Sequence, residues 1–583
     1  MSADNQLEPN ASLSTNHSDS TPLNQKEYAT ESYNGSGEPQ AFTGDVLEKS
    51  AVDGEPVPEG GDELSQYESE YEASRTLSRR ITGADQLIER ANATDEPLPT
   101  MGGDKPFPPA LPDRAPYAVS FDGPDDPTHP QNYSPFRKAL YTFCVAYNAL
   151  CLTVGSAMFS QAAPAIEKIF HIGPATATLG TSLYVMGFAS GPIMFGPLSE
   201  LYGRKSPLLV GAVGFTLFSF AVATAKDIQT IMICRFFTGF IGSAPLVVAP
   251  AVMADLYSTK ARGKAISIFA MMVFGGPMLA PIMGAFTAKN ESLGWRWNSY
   301  FCGIIGAAAI LMNIFVLPET HHQLILVKKA EILRRRTGNW GIFAPHEELS
   351  MSMKEIVENN ISRPIIMLAT EPILLFVSIY NAFIYGMLYL FLTAIPMVFA
   401  GKYHFAVGVA ELPYLSMLIG ILIGVAVIIY FEHRYSLAMD ANNGKPVPEE
   451  RLIPMMIGGV FFTIGLFWFG WTGNYAQHIH WIVPTIGVAF IGFGLILVFL
   501  PCLTYIIDCY LALAASALAG NTFIRSAFAA AFPLFARQMF TAMHINWGSL
   551  LVGLVSLVLI PVPFLFYRYG KAFRERSKYA FVL

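Results

Sequence analysis

The segment Gly196-Pro197-Leu198-Ser199-Glu200-Leu201-Tyr202-Gly203-Arg204-Lys205 lies between two apolar stretches, 177 to 196 and 206 to 225. Each stretch is about 20 residues long, enough for a helix to cross a hydrocarbon core of about 30 Å. The connection is too short to hold a domain of its own, so the two helices must be antiparallel neighbours. Gly203 lets the chain turn tightly. Glu200, followed by Arg204 and Lys205, supplies opposite charges that pair in one arrangement of the helices and part in another. The segment therefore reads as the turn of a membrane-helix hairpin with a charge lock in it. The plainer alternative is a short loop whose bases only mark the cytoplasmic side.

Apolar runs of the same length recur on both sides of this hairpin. Twelve spans are expected, at about 139–160, 177–196, 206–225, 229–250, 265–287, 299–317, 372–398, 409–431, 452–472, 481–507, 511–535 and 547–567. The 583 residues are 52% hydrophobic and 14% charged, with a mean hydropathy of +0.39. Soluble domains carry about 25% charge, so most soluble classes are excluded. Six cysteines, all in or beside apolar runs, are too few for a disulfide framework.

The net charge of −6 is unevenly divided, because residues 1–100 hold 20 acids against 6 bases and carry −14, leaving +8 for the rest. That head has no apolar run and is rich in Ser, Thr, Asn, Gly and Pro. Residues 1–113 are expected to be a disordered cytoplasmic region, since they cannot bury enough surface to offset their ordering entropy. No cleaved secretory signal is expected, for want of a basic start followed by an apolar stretch. Most bases near span ends fall on one side, from Arg137 and Lys138 through the cluster Arg334 to Arg336 to the tail Arg568 to Lys578. By the positive-inside rule both termini and the central loop are cytoplasmic.

The fold expected is an all-α membrane protein of twelve transmembrane helices in two six-helix bundles. The bundles are residues 139–317 and 367–567, joined by a cytoplasmic loop, 318–366, and followed by a cytoplasmic tail, 568–583. A weak internal echo supports duplication: the fourth span ends in Asp255-Leu256-Tyr257 and the tenth in Asp508-Cys509-Tyr510. Repeat-built transporters set their gates at matching positions.

Candidate functional residues follow from polar groups in apolar surroundings. Arg235 stands inside the fourth span, where a charge costs about 2.5–3.5 kcal/mol and must face the bundle interior. Gly239, Gly242 and Ser243 share its face and leave room for a helix or a ligand. The fifth span carries Gly275-Gly276-Pro277 and Ala280-Pro281, then Gly284. Two prolines four apart remove backbone bonds and bend the helix, and the small residues let it pack closely. Asp255, at a helix end where an acid is unfavourable, needs a cation, either Arg262 or Arg204.

Asn148 on the first span, and Asn381, Tyr385 and Tyr389 spaced i, i+4, i+8 on the seventh, are candidates for the substrate and proton path. So are Asn521 and Arg525 on the eleventh, with Tyr505 and Asp508 as potential partners. Aromatic stripes hold amphipathic cations but are equally ordinary helix-interface residues. Glu371 and Glu411 open spans and are expected to be solvated anchors. His478 and His480 are expected to belong to an interfacial aromatic belt rather than a metal site. No phosphate-binding loop, nucleophile elbow or zinc helix is found. No cofactor, metal or nucleic-acid partner is therefore expected, nor an enzyme.

The 196–205 segment resembles the loop signature of the major facilitator superfamily, and 275–284 resembles the antiporter signature of its proton-coupled drug exporters, with Ala280 where a Gly is usual. Further strings extend the resemblance from about residue 101 to the end. They are Met101-Gly-Gly-Asp-Lys-Pro106, Trp295-Arg-Trp297, Pro318-Glu-Thr-His-His322, Asn339-Trp-Gly341, Asn521-Thr-Phe-Ile-Arg525-Ser526 and Phe532-Pro-Leu-Phe535. Together they are similar to the fungal twelve-span drug:proton antiporter family, and within it to yeast plasma-membrane polyamine and multidrug exporters. His129-Pro-Gln-Asn-Tyr133 departs from that pattern, in the segment that docks ahead of the first span.

The resemblance implies export of polyamines, azoles and other amphipathic, often cationic drugs, in exchange for protons, from a lipid bilayer that is the plasma membrane rather than the vacuole. No acid or histidine falls near the centre of a span, so the proton carrier is unassigned. A proton-coupled importer or facilitator and a non-transporting sensor are the alternatives. In the head, Arg75-Thr-Leu-Ser78-Arg79-Arg80 is a pattern that basophilic kinases read.

Overall fold

The computed structural model describes residues 115–123, 125–348, 361–442, 446–510 and 513–579. The acidic head and its kinase pattern lie outside the described residues. Long helices follow one another with short connections. In the first half they are α1 (Pro135–Met158), α2 (Pro174–Leu201), α3 (Lys205–Thr224), α4 (Ile228–Leu256), α5 (Thr259–Lys289) and α6 (Arg296–Phe315). The second half holds α7 (Pro372–Phe399), α8 (Tyr414–Ala441), α9 (Leu452–Asn474) and α10 (Ile482–Tyr510). The remaining two helices, α11 (514–543) and α12 (545–576), meet at a break at His544, where φ is 61° and ψ 167°, and α12 runs on through Pro561–Arg576.

The spans start where the sequence supplies caps. Ser134 accepts the Arg137 amide at the start of α1, with Pro135 in the first turn, and Asp227 does the same for Thr230 at the start of α4. Ser243 breaks α4 into Ile228–Gly242 and Ala244–Leu256, a discontinuity that the apolar pattern does not mark. The two prolines of α5 do not interrupt it, since the helix continues from Thr259 to Lys289. Gly276 explains how α5 packs: a Cβ there would lie 2.1 Å from Thr153 Oγ1 on α1. Without a hydrophobic drive between helices in lipid, such close approaches hold spans together.

Each half is a bundle, with α2 on α4, α1 on α5 and α3 on α6 in the first, and α7 on α11, α8 on α10 and α9 on α10 in the second. The halves meet along α2 against α11 and α5 against α8. Apolar side chains such as Phe315, Leu217, Val558 and Ile423 remain exposed around the circumference, as helices facing lipid require. The pre-span segment is tied to the central loop, with Val119 N–H donating to the Phe343 carbonyl at 2.9 Å and Lys329 to Asp122 at 3.1 Å, and within that loop Arg334 forks onto Glu347 at 2.7 and 2.8 Å.

Candidate functional site

Two layers of polar residues stand out, one at the helix ends on the loop-signature face and one between the halves. On that face Arg204 donates from Nε to Asp255 Oδ2 at 3.0 Å and from Nη1 to Ser199 Oγ at 3.0 Å. Arg204 therefore answers Asp255, and Arg262 does not take that place. Glu200, expected to be the acid of the lock, is exposed. The acid that meets this turn is instead Glu319, just beyond the end of α6, which accepts the backbone amides of Arg204 at 2.8 Å and Lys205 at 3.2 Å. Glu319 thus caps α3, and Gly203, at φ +84°, lies so close that a Cβ would come 2.3 Å from Glu319 Oε2.

Histidines surround this lock. His322 Nδ1 is 3.5 Å from Asp255 Oδ1, and its ring lies 4.6 Å from that of His129, which meets Phe121 at 4.7 Å. The divergent His129–Tyr133 stretch is therefore docked. Burial lowers the His129 pKa, with His322 nearby as the next cause. His321 is pushed down to about 4, first by burial and then by the neighbouring Arg204 guanidinium. Asp126 organises the same segment: bonds from the Thr128 hydroxyl and from the Asp122 and Thr128 amides lower its carboxyl to about 2.

The second half repeats the lock. Asp508 on α10 accepts Arg451 Nε at 2.9 Å and the Tyr435 hydroxyl at 2.7 Å, while Arg451 also pairs with Glu432 and lies 3.6 Å over the Tyr435 ring. Arg204 sits between α2 and α3, and Arg451 between α8 and α9, which are equivalent places in the two halves. The echo extends to the tyrosines two residues on. Tyr257 bonds Thr142 of α1 at 3.0 Å, and Tyr510 donates to Glu371 at the head of α7 at 3.2 Å. Glu371 and Glu411 are not solvated, each being only 4% exposed. Glu371 also accepts the Ser577 hydroxyl at 2.6 Å, and Glu411 keeps Oε2 without a hydrogen-bond partner.

Within the first half, Arg235 is buried and donates to the carbonyls of Gly180 at 3.1 Å, Gly155 at 2.9 Å and Ser156 at 3.5 Å. Its guanidinium lies 4.3 Å from the Tyr184 ring and 4.5 Å from Phe159. Each such contact supplies about 2 kcal/mol when desolvated. Arg235 thereby clamps α1, α2 and α4. The face that Gly239 shares with it is filled by helix, since a Cβ there would be 2.1 Å from the Tyr184 carbonyl oxygen.

The Tyr389 hydroxyl donates to Ser156 Oγ at 3.0 Å and so joins α7 to α1 across the halves. Phe274 of α5 reaches across in the same way, 6.2 Å from Tyr385 and 4.6 Å from Phe499. Asn381 donates to Asn521 at 3.0 Å, and Asn521 to Ser378 at 3.0 Å. Arg525 lies over Tyr385 and Phe499 at 4.8 and 5.1 Å and is not joined to Asp508. Asn148 is committed within the first half, where it and Asn313 exchange amide bonds of 2.9 Å. On the face opposite the loop signature, Arg537 of α11 pairs with Glu167 at 3.1 Å, and Phe286 of α5 covers Gly408, whose φ is +92°.

Sequence reasoning gave no site role to Glu319, Glu432, Tyr435, Arg451 or Asn313. The signal available for Arg451 was the symmetry: once Asp508 is matched with Asp255, the loop one helix pair earlier has to supply a cation.

The arrangement has known counterparts. The model of the Major Facilitator Superfamily matches residues 145–533. A major facilitator superfamily multidrug transporter of Candida albicans, FLU1, is 65% identical over 532 residues, covering 91% of this chain and 87% of that one. The multidrug transporter TPO1_1 of Candida glabrata is 48% identical over 546 residues, covering 94% and 95%. Among solved structures, the partially occluded inward-open xylose transporter XylE of E. coli aligns with a TM-score of 0.51 at 16% identity, covering 74% of this chain and 98% of that one. Twelve long apolar helices among the described residues, arranged in two bundles, a duplicated arginine–aspartate lock and a matching family model over most of its length place the chain in the major facilitator superfamily.

Proposed function

We propose that the protein is a secondary active exporter of amphipathic drugs that works by alternating access in exchange for protons. The observation that carries this reading is the interior between the halves, where Tyr389, Tyr385, Phe274 and Phe499 meet beside Arg235 and Arg525, flanked by links on both faces. An interior closed by aromatic side chains offers apolar area without a fixed hydrogen-bond pattern, which suits chemically varied amphipathic compounds. The multidrug transporters of the two Candida species give the reading its substrate class. Polyamines, also implied by the sequence resemblance, need carboxylates, whereas the groups packed on the two arginines here are aromatic rings and, for Arg235, backbone carbonyls. Amphipathic drugs are therefore the better fit.

The plasma membrane, with both termini in the cytoplasm, is the location that fits the bases at the loop-signature face. In the proposed cycle Arg235 senses charge nearby, while Asp255 and Asp508 exchange partners as the cytoplasmic gate opens. The test is azole transport in vesicles containing the purified full chain under an imposed pH gradient. Transport against the azole gradient, abolished when the pH gradient is collapsed, is expected. Movement only down the azole gradient would establish a facilitator instead. Arg235→Ala at normal abundance with unchanged efflux and unchanged pH dependence would remove Arg235 from the cycle.

A further inference from the structure

Beyond its membrane-crossing part, α12 becomes a strap over the second half. The helix stops at Arg576, and Ser577 continues in extended backbone, with φ −74° and ψ 144°. Three ties hold this end down. Arg574, 7% exposed, pairs with Glu449 in the turn between α8 and α9. The Ser577 hydroxyl donates to Glu371 Oε2 at 2.6 Å at the head of α7, and Tyr510 of α10 donates to the same oxygen at 3.2 Å. Tyr579 donates its amide back to Ser577 Oγ at 3.1 Å and packs against the core. The strap thereby joins the ends of α7 and α10 to the α8–α9 turn, all within the second half.

Ser577 stands in Arg574-Glu575-Arg576-Ser577-Lys578, with arginines three and one residues ahead of it and a lysine behind. Bases in those places are what basophilic serine kinases read. We propose that Ser577 is a phosphorylation site whose phosphate unfastens this strap. The kinase moves the γ-phosphoryl group of ATP to the Ser577 oxygen, ADP leaves, and the hydroxyl proton passes to water. That proton is the one Ser577 donates to Glu371, so the tie is lost in the same step. In its place a group of charge about −1.5 to −2 faces Glu371, and like charges repel there. Glu371 is only 4% exposed, so water screens that repulsion poorly. The phosphate oxygens also compete with Glu449 for Arg574, one helical turn back. Glu449 lies two residues before Arg451, so an acid left without its cation bears directly on the second lock. None of this depends on the exporter reading; it needs only that the end of α12 faces the cytoplasm, where ATP and kinases are.

The test takes the purified full chain with phosphoserine installed at 577 during translation and reads hydrogen exchange of the amides over residues 570–579. Exchange is expected to be at least about tenfold faster than in the unmodified chain, the scale of one charge-assisted contact. The turn Pro448–Arg451 is expected to exchange faster with it, and a phosphatase to return both to the unmodified values. Ser577→Ala, which loses the hydroxyl without gaining charge, is expected to have a smaller effect. In Glu371→Gln, which keeps an acceptor but not the charge, the phosphate is expected to lose most of its effect. Equal exchange with and without the phosphate, or an effect no larger than that of Ser577→Ala, overturns the switch. In a second measurement the chain is incubated with MgATP and the catalytic subunits of cyclic-AMP-dependent kinase and protein kinase C, and its peptides are weighed. Phosphate is expected at Ser577, entering faster in Glu371→Ala, whose strap is already loosened. No phosphate at 577 in either chain overturns the site. The kinase-treated chain carries the exchange comparison if installed phosphoserine prevents accumulation. Neither measurement needs transport, so a failed azole assay removes the exporter reading and leaves this site to stand or fall by itself.

Discussion

Gly203 is a residue whose identity is fixed twice over. Its φ of +84° is a conformation that side-chain-bearing residues avoid, and the space a Cβ needs is held by Glu319 Oε2. Gly203→Ala is expected to cost at least about 1 kcal/mol from the backbone alone, and more because Glu319 must release the α3 amides. The check is the thermal midpoint of the purified variant; an unchanged midpoint would show that the turn relaxes freely. Nearby, His321 gives the same face a pH dependence. Its Nδ1 accepts the Leu324 amide and so caps the helix His322–Thr337, which requires that nitrogen to be unprotonated. With a folded pKa near 4 against an ordinary 6.5, the folded state binds the proton less readily than the unfolded chain. Its contribution to stability is therefore complete above pH 6.5 and is lost as pH falls toward 4. The midpoint of His321→Asn, in which the amide oxygen can still cap, is expected to fall less than that of the wild type between pH 7 and pH 4.5.

At the scale of elements, the repeated unit is a helical hairpin whose turn supplies an arginine to an aspartate at the end of a later helix. Arg451 is nearly buried against two acids, Glu432 and Asp508, with side-chain exposures of 14%, 26% and 11%. Arg451→Met leaves both acids without their cation, a change that costs about 3–5 kcal/mol in buried pairs. Its abundance in the membrane is expected to fall sharply. The triple variant Arg451→Met, Glu432→Gln, Asp508→Asn is expected to recover abundance without recovering transport, if the lock serves conformational exchange rather than folding. Equal loss in both variants would make the lock purely structural.

This unit also shows where sequence reading stops. The α7 and α9 limits, expected at 372–398 and 452–472, are observed at Pro372–Phe399 and Leu452–Asn474, because apolar length alone defines a span. The first lock was partly legible, since Asp255 and Arg204 are both visible as charges at span ends. A further acid was placed on Glu200, four residues from the arginine, whereas the guanidinium meets Asp255 and the α3 amides are capped by Glu319 from 115 residues away. Glu371 and Glu411 failed for the same reason: position near a span end says nothing of what the opposite half or the tail lays over them. The break at Ser243 was also missed, because Ala244 and Pro245 continue an apolar run that hydropathy cannot divide.

For the molecule as a whole, alternating access requires that contacts on one face part while those on the other hold. On the face opposite the loop signature, the halves are linked by the Arg537–Glu167 pair and by Phe286 over Gly408. The ion pair is 55% exposed at Arg537 and so contributes less than about 1 kcal/mol. Such a contact records closure of this face without holding it shut, which is what a reversible gate needs. Glu167→Gln is therefore expected to leave the thermal midpoint nearly unchanged. Joining the same two positions covalently should act quite differently. In the Glu167→Cys/Arg537→Cys variant, a short bis-maleimide is expected to stop azole efflux, and a dithiol-cleavable reagent of equal length to stop it reversibly. Transport surviving complete cross-linking would mean that this face need not open along α11 and the helix Ala163–Phe170, and that the exit path runs elsewhere between the halves. The native cysteines do not compete at this site: five are buried and the half-buried Cys234 lies on α4.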